Sequence, residues 1–180
     1  MAALIPSASA TGSGTMTLAG PSTNSNQTIT IPDATGTMMV SGNMPAFSAY
    51  ASTTQSISAA TWTKVNFANE RFDTNSNFSS SRFTPTVSGY YILSANVYFD
   101  SSPAGQAILN LSLNGDGSNG YGLNRMSISG VGAVSGSMVV YMNGTTDYAE
   151  IYYYSTGANT LNSGTSTNLV LFTGAMVRNA

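Results

Sequence analysis

The chain has 180 residues, a length that fits one domain and an arm. It contains no cysteine and no histidine, which excludes disulfides, thiol nucleophiles, histidine-dependent catalytic systems and the usual zinc sites. Charged side chains make up only 7% of the residues, the formal net charge is −2, and the cations form no basic stripe. Because nucleic-acid binding needs clustered cations, the composition predicts no nucleic-acid partner.

Residues 1–44 have the composition of an arm rather than of a domain. The first residues lack the charged and apolar regions of a signal peptide, and no apolar stretch approaches the ~20 residues of a membrane helix. We therefore expect neither standard secretion nor membrane insertion. Residues 7–27 are rich in Ser, Gly and Thr, as linkers are. A turn at 32–36 between two short alternating segments, 27–31 and 37–40, predicts a β-hairpin.

This arm contains the runs Thr17-Leu18-Ala19-Gly20-Pro21 and Ile31-Pro32-Asp33-Ala34-Thr35-Gly36-Thr37. On these runs, residues 14–42 resemble a segment of bacteriophage structural and tail-fibre proteins that precedes a globular tip. The resemblance implies a stalk that docks on other virion proteins, with three copies packed about an axis because an isolated hairpin is marginally stable. A flexible tether is the alternative. The residues expected to carry attachment are Leu18, Pro21, Ile29, Ile31, Pro32, Asp33 and Gly36.

From residue 45 to residue 180 the pattern is that of short β-strands, and no segment has sustained helical periodicity. The clearest strand is Gly89–Phe99, in which one face is predicted to carry Tyr91, Leu93, Ala95, Val97 and Phe99. Many short strands at regular spacing predict an all-β sandwich or jelly roll. Other predicted strands are Ala46–Ala51, Thr61–Phe67, Ala107–Leu113, Met138–Met142, Tyr148–Tyr154 and Asn168–Val177, with a turn at Asn114–Gly117 and a hairpin turn at Asn143-Gly144.

Aromatic, acidic and glycine residues recur at defined spacings in residues 67–91. They are Phe67, Asp73, Phe78, Phe83, Gly89 and Tyr91. These spacings resemble the central signature of the C1q-like domain, and Phe172-Thr173-Gly174 resembles a step in the last strand of that family. The gap from Phe78 to Phe83 is two residues shorter than in the family, and Leu93 and Ala95 replace aromatics. The resemblance implies a C1q/TNF-like jelly roll of about ten antiparallel strands over residues 45–180, in a homotrimer.

Three side chains are candidates for the trimer interface: Tyr152, Tyr154 and Phe172. Tyr153 points the other way on its strand and is predicted to be core. The alternative for Tyr152 and Tyr154 is stacking on sugar rings.

Two groups of acidic residues are candidates for other chemistry, and both have a simpler interpretation. The run 114–120 places oxygen ligands at alternate positions but lacks the rest of a calcium loop, so a plain turn and no cofactor are expected. The pairs Glu70/Asp73 and Asp147/Glu150 suit surface salt bridges better than glycoside hydrolysis, and we expect no enzyme activity.

Together these features predict a homotrimeric bacteriophage virion protein. In the favoured interpretation it is a tail-fibre or receptor-binding tip that contacts a host surface polysaccharide through exposed loops at 100–106, 114–121 and 156–166. The alternative is a capsid decoration or head-fibre trimer anchored by its arm. A secreted adhesive protein of the C1q-like family is a third and weaker interpretation, because no signal peptide or collagen-like repeat is recognised.

Overall fold

The structure of the chain is a computed structural model. It describes residues 39–162 and 169–180, together with six single positions near the N-terminus (13, 17, 20, 22, 24 and 26). The chain divides into two compact units, Met1–Gly36 and Thr37–Ala180. The predicted hairpin at 27–40 falls almost wholly outside the described residues. In the described part of the chain, no helix has the length and hydrophobicity to cross a membrane.

The second unit is built almost entirely from antiparallel strands, which confirms the all-β prediction. A short 3-10 helix, Ser41–Asn43, precedes the strands, and another, Gly117–Asn119, lies between two of them. The strands are β1 (Ala46–Tyr50), β2 (Gln55–Ile57), β3 (Thr63–Lys64), β4 (Asn69–Asp73), β5 (Phe78–Ser79), β6 (Arg82–Phe83), β7 (Gly89–Leu113), β8 (Tyr121–Met142), β9 (Ala149–Ser155), β10 (Asn159–Leu161) and β11 (Leu171–Asn179).

Strands β7 and β8 are long and pair with each other from Gly89↔Met142 to Leu111↔Tyr121. Their register shifts between Phe99 and Gly105, and there each strand passes from one layer of the fold to the other. In the first layer, β7 pairs with β11, which pairs with β1, which pairs with β4. In the second layer, β7 pairs with β9, which pairs with β3 and β6.

Aromatic and aliphatic side chains fill the space between the two layers. Phe47 of β1 stacks on Phe83 of β6 at 4.4 Å between ring centroids and on Phe78 of β5 at 5.0 Å. The predicted alternation in Gly89–Phe99 is confirmed, because the odd-numbered apolar residues from Tyr91 to Phe99 are all buried. Tyr153 is also fully buried, as predicted.

The two predicted turns have different outcomes. The turn at Asn114–Gly117 joins β7 to its partner β8, and Asn114, Gly115 and Asp116 all have positive φ there. The hairpin predicted at Asn143-Gly144 is wrong, since β8 and β9, which this turn joins, do not pair. Gly144 has the positive φ of a tight turn, but the chain crosses from the first layer to the second at this point.

Candidate functional site

The residues of the C1q-like signature lie inside the domain. Phe67, Phe78, Phe83 and Tyr91 are buried in one core cluster. The Tyr91 hydroxyl donates a hydrogen bond to the Val87 carbonyl at 2.6 Å, and burial raises the pKa of Tyr91 to about 12. These four side chains therefore have a packing role and are closed to a ligand.

The polar and glycine positions of the signature shape the backbone. The Asp73 carboxylate accepts hydrogen bonds from the Phe78 amide at 2.7 Å and from the Asn75 amide at 3.3 Å, which closes the turn between β4 and β5. Gly89 pairs with Asn179 of β11, and a Cβ there would lie 2.5 Å from the Arg178 carbonyl oxygen. The signature residues thus stabilise the fold through packing and turn formation and provide no catalytic or ligand-binding group.

Phe172 is a core residue, and its assignment to the trimer interface is wrong. Its side chain is fully buried within the protomer. Its ring lies 4.9 Å from Phe47, 5.6 Å from Phe67 and 6.1 Å from Phe78, measured between centroids. The residue pairs with Ala49 on one side and Ala95 on the other, and both of those residues point into the same core.

The side of the first layer that faces away from the core exposes an apolar surface, which we call the apolar face. One row of pairs crosses it from Ala46 to Ala175, Ile92 and Val139. Ile92 is 44% exposed and Val139 is 55% exposed. Large exposed apolar patches on a folded protomer mark interaction surfaces. The full set that defines the apolar face is Ala46, Phe72, Tyr90, Ile92, Val139, Tyr141 and Ala175.

A shallow depression of about 320 Å³ lies on the apolar face, and its lining includes Ala46, Phe72, Ile92 and Ala175 together with the hydroxyl residues Ser94 and Thr173. None of the residues that define the apolar face carries a formal charge. The cation Arg178 lies at its border, with its guanidinium carbon 5.5 Å from the Tyr90 ring centroid. The face therefore suits another apolar surface better than a polar ligand.

The outward side of the second layer is polar and is organised around Glu150, whose side chain is only 2% exposed. Its carboxylate accepts hydrogen bonds from Lys64 at 2.6 Å and from Arg82 at 2.8 Å. Burial favours the protonated form of Glu150, but the hydrogen bonds and charges of Lys64 and Arg82 outweigh it, so the pKa of this carboxyl lies below its ordinary value. The surface salt bridge predicted for Glu150 is thus a buried one.

Tyr152 and Tyr154 lie on the outward side of β9, in the second layer. The Tyr152 hydroxyl is 3.3 Å from Glu150, and the backbone at Gly117 packs directly on the Tyr152 ring. The Tyr154 ring lies 5.2 Å from the ring of Trp62. Both tyrosines are partly exposed. Their role in a trimer stays a prediction. The apolar face lies on the other layer and not beside them.

The loop at 114–120 is held in part by hydrogen bonds to Asp116. The Asp116 carboxylate accepts hydrogen bonds from the Ser118 amide at 3.0 Å and from the Ser118 hydroxyl at 2.7 Å. These bonds, with that from Asn119, lower the pKa of Asp116. In the described part of the chain, no three acidic side chains lie close enough together to hold a metal ion.

Comparisons with known proteins agree on the fold. No protein-family model and no curated protein matches the chain. Among solved structures, the globular domain of zebrafish complement 1qA protein is 19% identical, with a TM-score of 0.53 over 76% of this chain and 99% of that domain. Murine APRIL is 14% identical, with a TM-score of 0.54 over 74% and 99% of the two chains. Eiger TNF from S. frugiperda is 11% identical, with a TM-score of 0.52 over 76% and 93%.

The fold is a C1q/TNF-like jelly roll. At these identities the likeness extends to the fold, and ligands and partners have to be argued from the side chains of this chain. The predicted attachment residues of the arm lie outside the described residues. They are Leu18, Pro21, Ile29, Ile31, Pro32, Asp33 and Gly36.

Several prominent residues of the jelly roll were not singled out from the sequence. Trp62 is the only tryptophan of the chain. Its ring contact with Tyr154 could not be predicted from the local sequence, because 92 positions separate the two residues. The apolar face had a partial signal, since the alternation in Gly89–Phe99 assigns Tyr90 and Ile92 to the side away from the core. An apolar residue at such a position is a sign of an interface.

Proposed function

We propose that this chain is a homotrimeric virion protein whose jelly roll forms the tip of a tail fibre and attaches to a host surface glycan. The apolar face is the observation that carries the proposal. An attachment tip works outside the cell, at high dilution, so its subunits must be held together by a permanent apolar interface. The arm supports the virion assignment, because residues 14–42 resemble segments of bacteriophage tail-fibre proteins.

The position and chemistry of the apolar face support trimer formation through it. Ile92 and Val139 are directly paired neighbours on the apolar face, so both become buried if two further copies pack on this face about a threefold axis. Small side chains at Ala46 and Ala175 allow close approach of the neighbouring sheets. Burial of this surface stabilises association by about 25 cal/mol per Å² of apolar area before the entropic penalty of association is subtracted.

Val139→Asp is expected to convert the trimer to monomers at micromolar concentration. The substitution would place a carboxylate in each subunit contact, and each desolvated charge without a partner is unfavourable by several kcal/mol. Light scattering coupled to size-exclusion chromatography of the full chain measures the mass. Val131→Asp is the matched control, since Val131 is also exposed but lies outside the apolar face. A wild-type chain that is monomeric, or an unchanged mass in Val139→Asp, contradicts the interface.

The glycan-binding part of the proposal is supported by the polar, sparsely charged composition of the rest of the surface. Neutral amide and hydroxyl side chains provide hydrogen-bond donors and acceptors for sugar hydroxyls without creating a strong electrostatic field. A trimer presents three copies of each contact surface, so weak sugar contacts gain from avidity.

Cryo-electron microscopy of the virion that carries this chain tests the location. We expect a threefold knob the size of three jelly rolls at the end of a tail fibre, in a few copies per particle. Density for the knob distributed over the capsid lattice would instead assign the chain to capsid decoration. In that case the exposed surfaces would no longer be candidates for receptor binding.

A further inference from the structure

A row of outward-facing side chains crosses the second layer, on the side opposite to the apolar face. It consists of Trp62, Tyr154 of β9, Ile108 of β7 and Arg125 of β8, and we call it the outer row. Tyr154 pairs directly with Ile108, and Ile108 pairs directly with Arg125. Directly paired side chains on one face of a sheet are in contact range. The row therefore begins with two aromatic rings and ends with a cation.

The aromatic end of the outer row is an open stacking surface. The rings of Trp62 and Tyr154 lie 5.2 Å apart at an angle of 43°, so they form a shallow V and not a closed stack. Both side chains are partly exposed, and Ile108 continues the apolar strip beside them. An aromatic ring offers apolar contact to the C–H face of a pyranose, while the indole N–H remains a hydrogen-bond donor.

The cationic end of the outer row differs from the other cations of this layer. Lys64 and Arg82 are both paired with the buried Glu150. In contrast, Arg125 is exposed and bonds to the neutral Gln106 side chain. Among the described residues, the only ion pairs are those of Glu150, so Arg125 has no carboxylate within ion-pair distance. Its guanidinium has five donors, which leaves several for an incoming anion.

We propose that the outer row binds a polysaccharide that carries carboxylate groups. One sugar ring packs on Trp62 and Tyr154, and the carboxylate of a neighbouring sugar accepts hydrogen bonds from Arg125. Arg125 lies two strand spacings from Tyr154, or about 10 Å, a separation that a chain of linked sugars spans and a single small acid does not. Guanidinium and carboxylate match each other in a bidentate geometry, which favours a carboxylate over a neutral sugar.

This inference rests on the proposed glycan-binding function and names the class of glycan and its site. The opposite layer is occupied by the trimer contact in the proposal, so the outer row faces away from the threefold axis. Three outer rows would then lie around the outside of one knob, where they reach separate segments of a polysaccharide.

The test is binding of the full chain to immobilised bacterial polysaccharides, half of them with uronic-acid repeats and half neutral. We expect binding to uronic-acid polysaccharides and a change in the fluorescence of Trp62, the only tryptophan, on titration with them. Arg125→Gln should weaken that binding by about tenfold to a hundredfold, because a charge-assisted hydrogen bond is lost. Trp62→Ala should weaken it at least as much. Arg71→Gln, which removes an exposed arginine on β4 of the other layer, is the matched control and should bind as the wild type does.

Chemical reduction of the uronic carboxylates to alcohols provides a second, independent control. The wild-type chain should bind the reduced polysaccharide about as weakly as Arg125→Gln binds the unreduced one. Binding to neutral polysaccharides alone, or equal binding by wild type, Arg125→Gln and Trp62→Ala, would overturn the outer row as the site. Either result leaves the tail-tip location intact, because cryo-electron microscopy decides that question separately. No binding to any polysaccharide by a chain found on the capsid would overturn both proposals.

Discussion

Phe172→Ala is expected to lower the free energy of unfolding by about 3–5 kcal/mol, the range for truncating a fully buried aromatic side chain. Phe172 connects three other phenylalanines, Phe47, Phe67 and Phe78, so its removal leaves a cavity that these rings cannot fill without leaving their own contacts. The loss is a large fraction of the about 5–15 kcal/mol that stabilises a typical domain. Urea denaturation at a fixed protein concentration measures it.

Phe72→Ala provides the matched control for this prediction. Phe72 is 51% exposed on the apolar face, so its loss should change the stability of the protomer little and weaken trimer formation instead. The two phenylalanines thus separate the core from the interface. If Phe172→Ala melted as the wild type does and only dissociated the trimer, Phe172 would be an interface residue and its position in the core would be wrong.

Gly89→Val is expected to destabilise the domain by about 1–3 kcal/mol or more, because it adds atoms to a fully occupied space. A Cβ at this position would lie 2.5 Å from the Arg178 carbonyl oxygen, 2.8 Å from Met176 Cε and 3.3 Å from Asn179 Cα. Two of these contacts are with the backbone of β11, which cannot move without breaking its pairing with β7. The expected result is a lower melting temperature and weaker protection of β11 amides from hydrogen exchange.

Gly42→Ala is the control, since a Cβ at Gly42 would meet nothing within 4 Å. We expect its melting temperature to stay close to that of the wild type. Gly89→Ala should fall between the two, because it adds the clashing Cβ without the two methyl groups of valine. An unchanged melting temperature in Gly89→Val would show that β11 is not seated against this position and would contradict the pairing of Gly89 with Asn179.

The stability of the jelly roll and its proposed binding surfaces depend on different sets of residues. The C1q-like signature residues are used for packing and turn formation, which explains why they suggest the fold and say nothing about a ligand. The apolar face and the outer row lie on opposite sides of the domain. Substitutions in one should therefore leave the other unaffected, since independent sites have nearly additive effects.

Local sequence patterns predicted some of the core strands, such as Gly89–Phe99, but they missed β4 and most of β8 and placed a loop at 100–106, which lies within β7. The alternation in Gly89–Phe99 identifies which side chains point inward, because successive residues of a strand must face opposite sides. Turn chemistry at Asn114–Gly117 and Asn143-Gly144 was equally local, and both segments do turn. In these cases the physical cause acts within a few residues, so the sequence by itself determined the outcome.

The partners of each strand and side chain were decided by the tertiary structure. The residues Asn143-Gly144 predict that the chain reverses but not which strand the next segment pairs with. That segment, β9, lies in the other layer. The sequence predicts both Phe172 and Tyr154 as interface aromatics. Phe172 is enclosed because β11 lies between β1 and β7, which the sequence does not reveal. Glu150 is buried because Lys64 and Arg82 reach it from 86 and 68 positions away. Such contacts depend on the arrangement of the whole sandwich, and no short stretch of sequence contains them.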